Sequence, residues 1–78
     1  MRRQKALTHA FGRVIHNERK RIGLSQERLG LQAKIHPTYI SQIERGMKSP
    51  SLEVIASLAK ALGLKPHALI RAAEESSK

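Results

Sequence analysis

Apolar side chains recur along the chain at intervals of three and four residues, the spacing of one face of an α-helix, and no stretch alternates as a β-strand would. The first apolar stripe contains Leu7, Phe11, Val14, Ile15 and Ile22. Glu18 lies on the same stripe, so we expect its carboxylate to reach the edge of the core or to be paired, because an unpaired buried charge is costly. Gly23 suits the left-handed backbone of a helix end, so the pattern predicts a first helix that stops there.

Residues typical of helix ends divide the rest of the chain into four shorter helices. Serine is a favoured N-cap, proline is tolerated in the first turn, and glycine commonly follows the last turn. The predicted starts are Ser25, His36-Pro37, Ser51 and Pro66, and the glycine stops after the third and fourth helices are Gly46 and Gly63. The apolar residues on the helical stripes are Leu29, Ala33, Ile40, Ile43, Leu52, Ile55, Leu58, Ala59, Leu62, Leu69 and Ile70.

The sequence therefore predicts an all-α fold, a compact bundle of five helices forming one domain over residues 1–78. We expect a flexible basic arm at residues 1–5 and a frayed tail at residues 74–78. No apolar run reaches the ~18 residues that a membrane helix needs. His9 and Arg13 also interrupt the apolar region that a signal peptide would require, so secretion is disfavoured.

The composition leaves little room for catalysis. A chain of 78 residues accommodates one small domain, and without cysteine it lacks disulfides, thiolate metal ligands and thiol nucleophiles. His9 and His16 are seven residues apart, about 10 Å along a helix, too far to share a metal ion. His36 is better interpreted as a helix cap and His67 as a surface residue. We expect no enzyme activity, no metal site, no cofactor and no small-molecule ligand.

The net charge of +9 is concentrated in the first part of the chain. Residues 1–48 contain eleven Lys and Arg residues against three Glu, a net +8, whereas residues 49–78 contain four against three, a net +1. This uneven charge favours a polyanionic partner, of which nucleic acid is the commonest. A basic surface that serves only solubility is the alternative.

Residues 26–43 show the strongest functional pattern, two short helices joined by a tight turn. Gly30 provides the small side chain that lets two such helices cross closely, and Ile35 provides an apolar anchor for the turn. The outward positions of the second helix all carry hydrogen-bonding side chains, and they are Thr38, Tyr39, Ser41, Gln42 and Arg45. A helix of this kind can enter a major groove, which is about 12 Å wide.

Three motifs make the pattern specific: L-S-Q-E at residues 24–27, Y-I-S-Q-I-E-R-G at residues 39–46 and P-S-L-E-V-I at residues 50–55. Together they resemble the DNA-binding domain of the phage-repressor/Cro (XRE-type) helix-turn-helix family, and especially restriction–modification controller proteins and small stand-alone regulators. The resemblance implies a lambda-repressor-like fold. It also implies a transcriptional regulator that binds double-stranded DNA sequence-specifically, as a homodimer on a pseudo-palindromic operator, in the cytoplasm at the nucleoid.

The resemblance also implies roles for single residues. The positions that face bases are Pro37, Thr38, Ser41 and Gln42, and those that face phosphates are Gln26, Tyr39, Arg45 and Lys48. Gln42 is the best candidate for direct readout, since a glutamine amide can bond N6 and N7 of adenine together. Each of these side chains could instead be a solvated surface residue, and the Tyr39 ring could lie on the domain and cover the core.

Other positions are structural or depart from the family pattern. Arg19 and Glu44 match an ion pair that ties the first helix to the recognition helix. Lys34 stands where glycine or asparagine is usual, so a left-handed backbone there would be strained by about 1 kcal/mol or more. Gly30 replaces the usual alanine. Pro37 replaces a polar or basic residue and cannot donate a hydrogen bond, so a relative's operator sequence is not transferable to this chain.

A homodimer would need an apolar surface, and the fifth helix offers one. The predicted interface residues are Leu64, Leu69, Ile70 and Ala73, although this helix could simply close the core. The alternative function is an antitoxin or protein-interaction module of the same fold. RNA binding is disfavoured because Phe11 and Tyr39 are the only aromatic residues. A membrane-surface helix is disfavoured because the best amphipathic stripe is needed for the core.

Overall fold

Five α-helices account for most of residues 2–77, the part of the chain whose backbone the computed structural model describes; side chains are described from residue 5 onward. The helices are α1 (Arg2–Arg21), α2 (Gln26–Ala33), α3 (Pro37–Glu44), α4 (Leu52–Leu62) and α5 (Pro66–Ser76). Residues 2–77 contain no strand, so the predicted all-α fold is confirmed. Within this part of the chain no helix is both long and apolar enough to cross a membrane.

The predicted N-terminal caps explain where α2, α3 and α4 begin. The Ser25 hydroxyl accepts a hydrogen bond from the amide of Arg28 at 3.0 Å, and the Ser51 hydroxyl accepts one from the amide of Val54 at 3.2 Å. His36 caps α3 in the same way, because its Nδ1 accepts from the amide of Thr38 at 3.1 Å. These bonds satisfy amides that have no partner inside their own helix.

The core lies where α1 packs on α3 and α5, and where α2 packs on α3 and α4. Its fully buried large side chains are Ile15, Leu29, Ile40, Ile43, Leu58 and Leu69. Leu52 shares the α4 stripe but is 76% exposed, because it is the first residue of the helix and lies beyond the end of the core. Glu18 is paired, as its position required, since Arg21 Nε donates to its carboxylate at 2.7 Å.

Both ends of the described chain lie in helices. Residues 2–5, expected as a flexible arm, form the first turn of α1, and Met1 lies outside the described residues. The expected frayed tail is helical to Ser76, because nothing in the sequence stops α5 earlier and Arg71 pairs with Glu75 at 3.3 Å across one turn. Lys78 lies outside the described residues.

Candidate nucleic-acid interface

The turn between α2 and α3 depends on a left-handed residue. Lys34 has φ 59° and ψ 43°, and it is the one non-glycine residue with positive φ among residues 2–77. Its amide bonds to the carbonyl of Gly30, which also accepts from the amide of Ile35 at 2.9 Å. The Ile35 side chain packs against the core. The chain therefore reverses direction within a few residues, and lysine carries the strain that glycine would avoid.

Gly30 is buried where α2 meets this turn. A Cβ atom at this position would meet the carbonyl oxygen of Ile35, and it would lie 3.5 Å from side-chain atoms of Ile40 and Pro37. The space is filled by backbone, so a close crossing of the two helices needs a small residue here. This crossing fixes the angle at which α3 leaves the domain.

The outward face of α3 is polar and lies over a buried apolar face. Ile40 and Ile43 are fully buried, whereas Thr38 is exposed and Ser41 and Gln42 are partly exposed. Among the described residues the side chains of Thr38, Ser41 and Gln42 make no hydrogen bond within the chain. Their hydrogen-bonding groups are therefore available to an external partner.

The remaining predicted contact residues surround this face. Pro37 is partly exposed in the first turn of α3, and Tyr39 is partly exposed with its ring against the core. Arg45 caps the C-terminal end of α3 and Lys48 lies in the loop that follows; both are exposed. The structure therefore places Pro37 and Tyr39 on α3 and Arg45 and Lys48 at and after its C-terminal end, with Tyr39 also serving the packing of the domain.

A buried ion pair holds the C-terminal end of α3. Arg19 Nε donates to Glu44 Oε2 at 2.6 Å and Arg19 Nη2 donates to Oε1 at 3.0 Å, while Arg19 Nη1 donates to the carbonyl of Leu24 at 2.8 Å. The Glu44 side chain is 4% exposed and that of Arg19 is 7% exposed. The two parallel bonds fix both distance and orientation between α1 and α3.

The same carboxylate binds two further side chains. Gln26 Nε2 donates to Glu44 Oε1 at 3.1 Å, and His16 Nδ1 lies 2.9 Å from the same oxygen. Gln26, predicted to contact phosphate, is therefore positioned by the recognition helix through Glu44. One of its amide hydrogens remains for an external acceptor, since a glutamine amide has two.

These contacts set the ionisation of the pair. Burial alone would raise the pKa of Glu44, but hydrogen bonds from Arg19, His16 and Gln26, with the charge of Arg19, outweigh it and hold that pKa below its ordinary value. The hydrogen bond to Glu44, opposed by burial, raises the pKa of Arg19. Both groups are therefore charged at neutral pH.

A direct backbone contact between α1 and α3 accompanies the ion pair. Gly12 is buried, and a Cβ atom there would collide with the carbonyl oxygens of Ile43 and Glu44. Gly46 follows with φ 75°, and a Cβ atom on it would meet the ring of His9. The helix α1 therefore holds both the last turn of α3 and the start of the next loop.

Sequence reasoning missed the parts of this site that join distant residues. Gly12 gave no sign of its role, because an isolated glycine in a helical pattern has no partner visible in the sequence. Gln26 and His16 reach Glu44 across 18 and 28 positions respectively. Only the presence of a buried carboxylate, which needs several donors, could have suggested a search for them.

The predicted dimer residues differ in exposure. Leu69 is 1% exposed and Ala73 is fully buried, so both pack in the core of their own chain. Leu64 and Ile70 are only partly buried. A groove lies on this side between α1, α4 and α5, and its lining includes the exposed Leu7, the partly exposed Pro50 and Ile70, and the buried Ile55. Leu52 is exposed one turn before Ile55 in α4.

Residues 2–77 contain no group of three or more His, Cys, Asp or Glu side chains that could hold a metal ion.

Comparison with known proteins identifies the family of this chain. The helix-turn-helix family model HTH_3 matches residues 15–69, from the middle of α1 into α5. The chain belongs to this XRE-type helix-turn-helix family. This match confirms the resemblance that the three sequence motifs indicated.

The similarity of this helix-turn-helix protein extends to named relatives. It is 41% identical over 61 residues to control protein C.BamHI of Bacillus amyloliquefaciens. This alignment covers 77% of this chain and 75% of that protein. The crystal structure of the clp gene regulator ClgR from Corynebacterium glutamicum matches with a TM-score of 0.86 at 31% identity, covering 91% of this chain and 76% of that one. The restriction–modification controller protein C.AhdI from Aeromonas hydrophila matches with a TM-score of 0.78 at 35% identity, covering 80% and 94% respectively.

Proposed function

We propose that this helix-turn-helix protein regulates transcription by binding double-stranded DNA sequence-specifically, with α3 in the major groove. The observation that carries the proposal is the outward face of α3, where Thr38, Ser41 and Gln42 present unpaired polar groups on a helix whose other side is fully buried. A rigid helix with free hydrogen-bonding side chains fits the donor and acceptor edges of the major groove.

The proposed contacts divide into two classes. Thr38, Ser41 and Gln42 contact base edges, and Pro37 offers an apolar surface to a thymine methyl group. The phosphate contacts come from the rim, where Gln26, Tyr39, Arg45 and Lys48 surround the α3 face. Phosphate contacts fix position and orientation, while base contacts choose the sequence. The similarity to two controller proteins favours this regulatory role over that of an antitoxin, and such a regulator acts in the cytoplasm, at the nucleoid.

Replacement of Gln42 by Ala should weaken binding by about 1–3 kcal/mol and relax specificity at one base position. Lys48→Ala should weaken binding to all duplexes by a similar factor and reduce the steepness of the salt dependence. Both can be measured by fluorescence anisotropy, with a preferred duplex selected from a randomised pool and a scrambled duplex.

The two variants control for each other, since one removes a base contact and the other a charge. If Gln42→Ala lowers affinity equally for the preferred and scrambled duplexes, Gln42 does not contact bases. A natural protein that binds every duplex with the same affinity would contradict the proposed sequence specificity.

We further propose that the protein binds as a homodimer on a pseudo-palindromic operator. One α3 covers one half-site, and two copies would place half-sites about 10–10.5 base pairs apart. The apolar groove whose lining includes Leu7, Pro50 and Ile70 offers the accessible surface for this interface. It lies in part on the nearly neutral second part of the chain, where two copies can approach with little repulsion.

Leu7→Glu should weaken the dimer at least tenfold, since Leu7 is exposed and lines the groove, so the substitution places a charge in the apolar interface. Sedimentation velocity over a concentration series measures the change. Leu31→Glu is the matched control, because Leu31 is 73% exposed on α2 and takes no part in the groove. Equal dissociation constants for the two variants would place the interface elsewhere, and a monomer at high concentration of the natural protein would contradict dimerisation.

A further inference from the structure

A polar pocket lies beside the proposed DNA surface and has no role in the contacts given so far. It is lined by Arg13, His16 and Asn17 of α1 and by Glu44 at the end of α3. Arg13 and Asn17 are exposed, and the His16 side chain is 47% exposed. Three side chains with hydrogen-bond donors or a positive charge therefore converge on an accessible pocket.

The pocket is next to the proposed phosphate contact Gln26. Gln26 Nε2 and His16 Nδ1 bind the same oxygen of Glu44, at 3.1 Å and 2.9 Å. One carboxylate oxygen thus separates the pocket from Gln26, and Arg45 follows Glu44 directly in the chain. A duplex whose backbone reaches Gln26 and Arg45 therefore passes close to the pocket.

Glu44 does not make the pocket repel anions. Its side chain is 4% exposed, and Arg19 compensates its charge through two hydrogen bonds. The exposed residues that line the pocket are instead Arg13, His16 and Asn17, which carry a guanidinium, an imidazole and an amide. This chemistry suits an oxyanion.

We propose that Arg13, His16 and Asn17 form a further phosphate-binding site, which holds a backbone phosphodiester of the duplex beside the C-terminal end of α3. The inference rests on the proposed DNA binding. It extends the protein–DNA contact from the helix-turn-helix onto α1. The ligand is a DNA phosphate rather than a free anion, because His16 in the pocket and the proposed phosphate contact Gln26 bind the same oxygen of Glu44.

The salt dependence of duplex binding tests the site. Each phosphate contact contributes a slope of about 0.9 in a plot of log K against log salt, so Arg13→Gln should lower the slope by about 0.9 between roughly 50 and 200 mM salt. Lys60→Gln removes the same charge from an exposed position on α4 outside the pocket and should leave the slope unchanged. Circular dichroism establishes that both variants keep the fold.

The outcomes separate the two proposals. Equal slopes for Arg13→Gln and Lys60→Gln, with the natural protein still binding, would overturn the α1 site alone. Failure of the natural protein to bind any duplex would overturn the proposed function and the site with it.

The His16 contribution has its own comparison. At constant pH and salt, His16→Ala should weaken duplex binding, whereas His67→Ala, which removes an exposed histidine from α5, should leave the affinity unchanged. Equal affinities for the two variants would remove His16 from the phosphate site.

Discussion

Replacing Glu44 with Gln is expected to lower the free energy of unfolding by about 3–5 kcal/mol, because it leaves the buried Arg19 charge without its counter-ion. Arg19 is 6% exposed and directs two of its nitrogen atoms at the carboxylate. The amide that replaces the carboxylate carries no charge and presents one oxygen instead of two. Urea denaturation followed by circular dichroism measures the loss as a shift of the midpoint.

A double substitution provides the control for the Glu44 prediction. Arg19→Met combined with Glu44→Leu removes both charges, so neither remains buried alone, and most of the stability should return. If Glu44→Gln costs less than about 1 kcal/mol, the pair behaves as a surface ion pair does, and its role in holding α3 would be contradicted.

The lowered pKa of Glu44 predicts that the ion pair makes the stability of the protein depend on pH. A carboxyl group whose pKa is lower in the folded than in the unfolded state stabilises the fold above its ordinary pKa, and the contribution is lost as pH falls through the lowered value. The natural protein should therefore lose stability on acidification through that range, and Glu44→Gln should lose less. Parallel stability curves for the two proteins would show that Glu44 titrates normally.

Gly12→Ala should destabilise the protein by about 2 kcal/mol or more, although alanine is the better helix former by about 1 kcal/mol. The added methyl group would collide with the carbonyl oxygens of Ile43 and Glu44, which are backbone atoms and cannot rotate away. The contact can be relieved only by moving α3 from α1, so DNA affinity should fall as well. Thermal unfolding should show a melting temperature lower by roughly 8–16 °C for a domain of this size.

Ala6→Gly is the matched control for Gly12, because Ala6 lies exposed in the same helix. It should cost about 1 kcal/mol through helix propensity alone. The two substitutions are the reverse of each other and yet both should destabilise. An increase in stability for Gly12→Ala would show that the helices can separate at no cost.

The helices were predictable because their boundaries depend on neighbouring residues. Ser25 and Ser51 each bond to an amide three positions ahead, so the signal and its effect lie in one stretch of sequence. The left-handed turn was indicated by the family resemblance, since Lys34 stands where glycine or asparagine is usual, and the structure gives it a positive φ. The polar face of α3 followed from helical period, because Ile40 and Ile43 fix which side is buried.

Features that depend on the angle and distance between helices were not predictable. The stripe on α5 contains Leu69, Ile70 and Ala73, and its sequence does not tell which of them the neighbouring helices cover. Leu69 and Ala73 belong to the core, which leaves Leu64 and Ile70 as the accessible half of the predicted interface. The collision that forbids a side chain at Gly12 arises between residues about 30 positions apart, where no local pattern carries information.

The way α3 is anchored has a consequence for how a duplex would be discriminated. Its C-terminal end is joined to α1 by Arg19 and by the contact at Gly12, and to α2 by Gln26, so the protein has little freedom to adjust its shape on binding. The DNA rather than the protein would then change shape on binding, by bending or by a change in groove width. Base-pair steps that deform easily would be preferred at positions that no side chain touches, and operator choice would depend on DNA flexibility as well as on direct contacts.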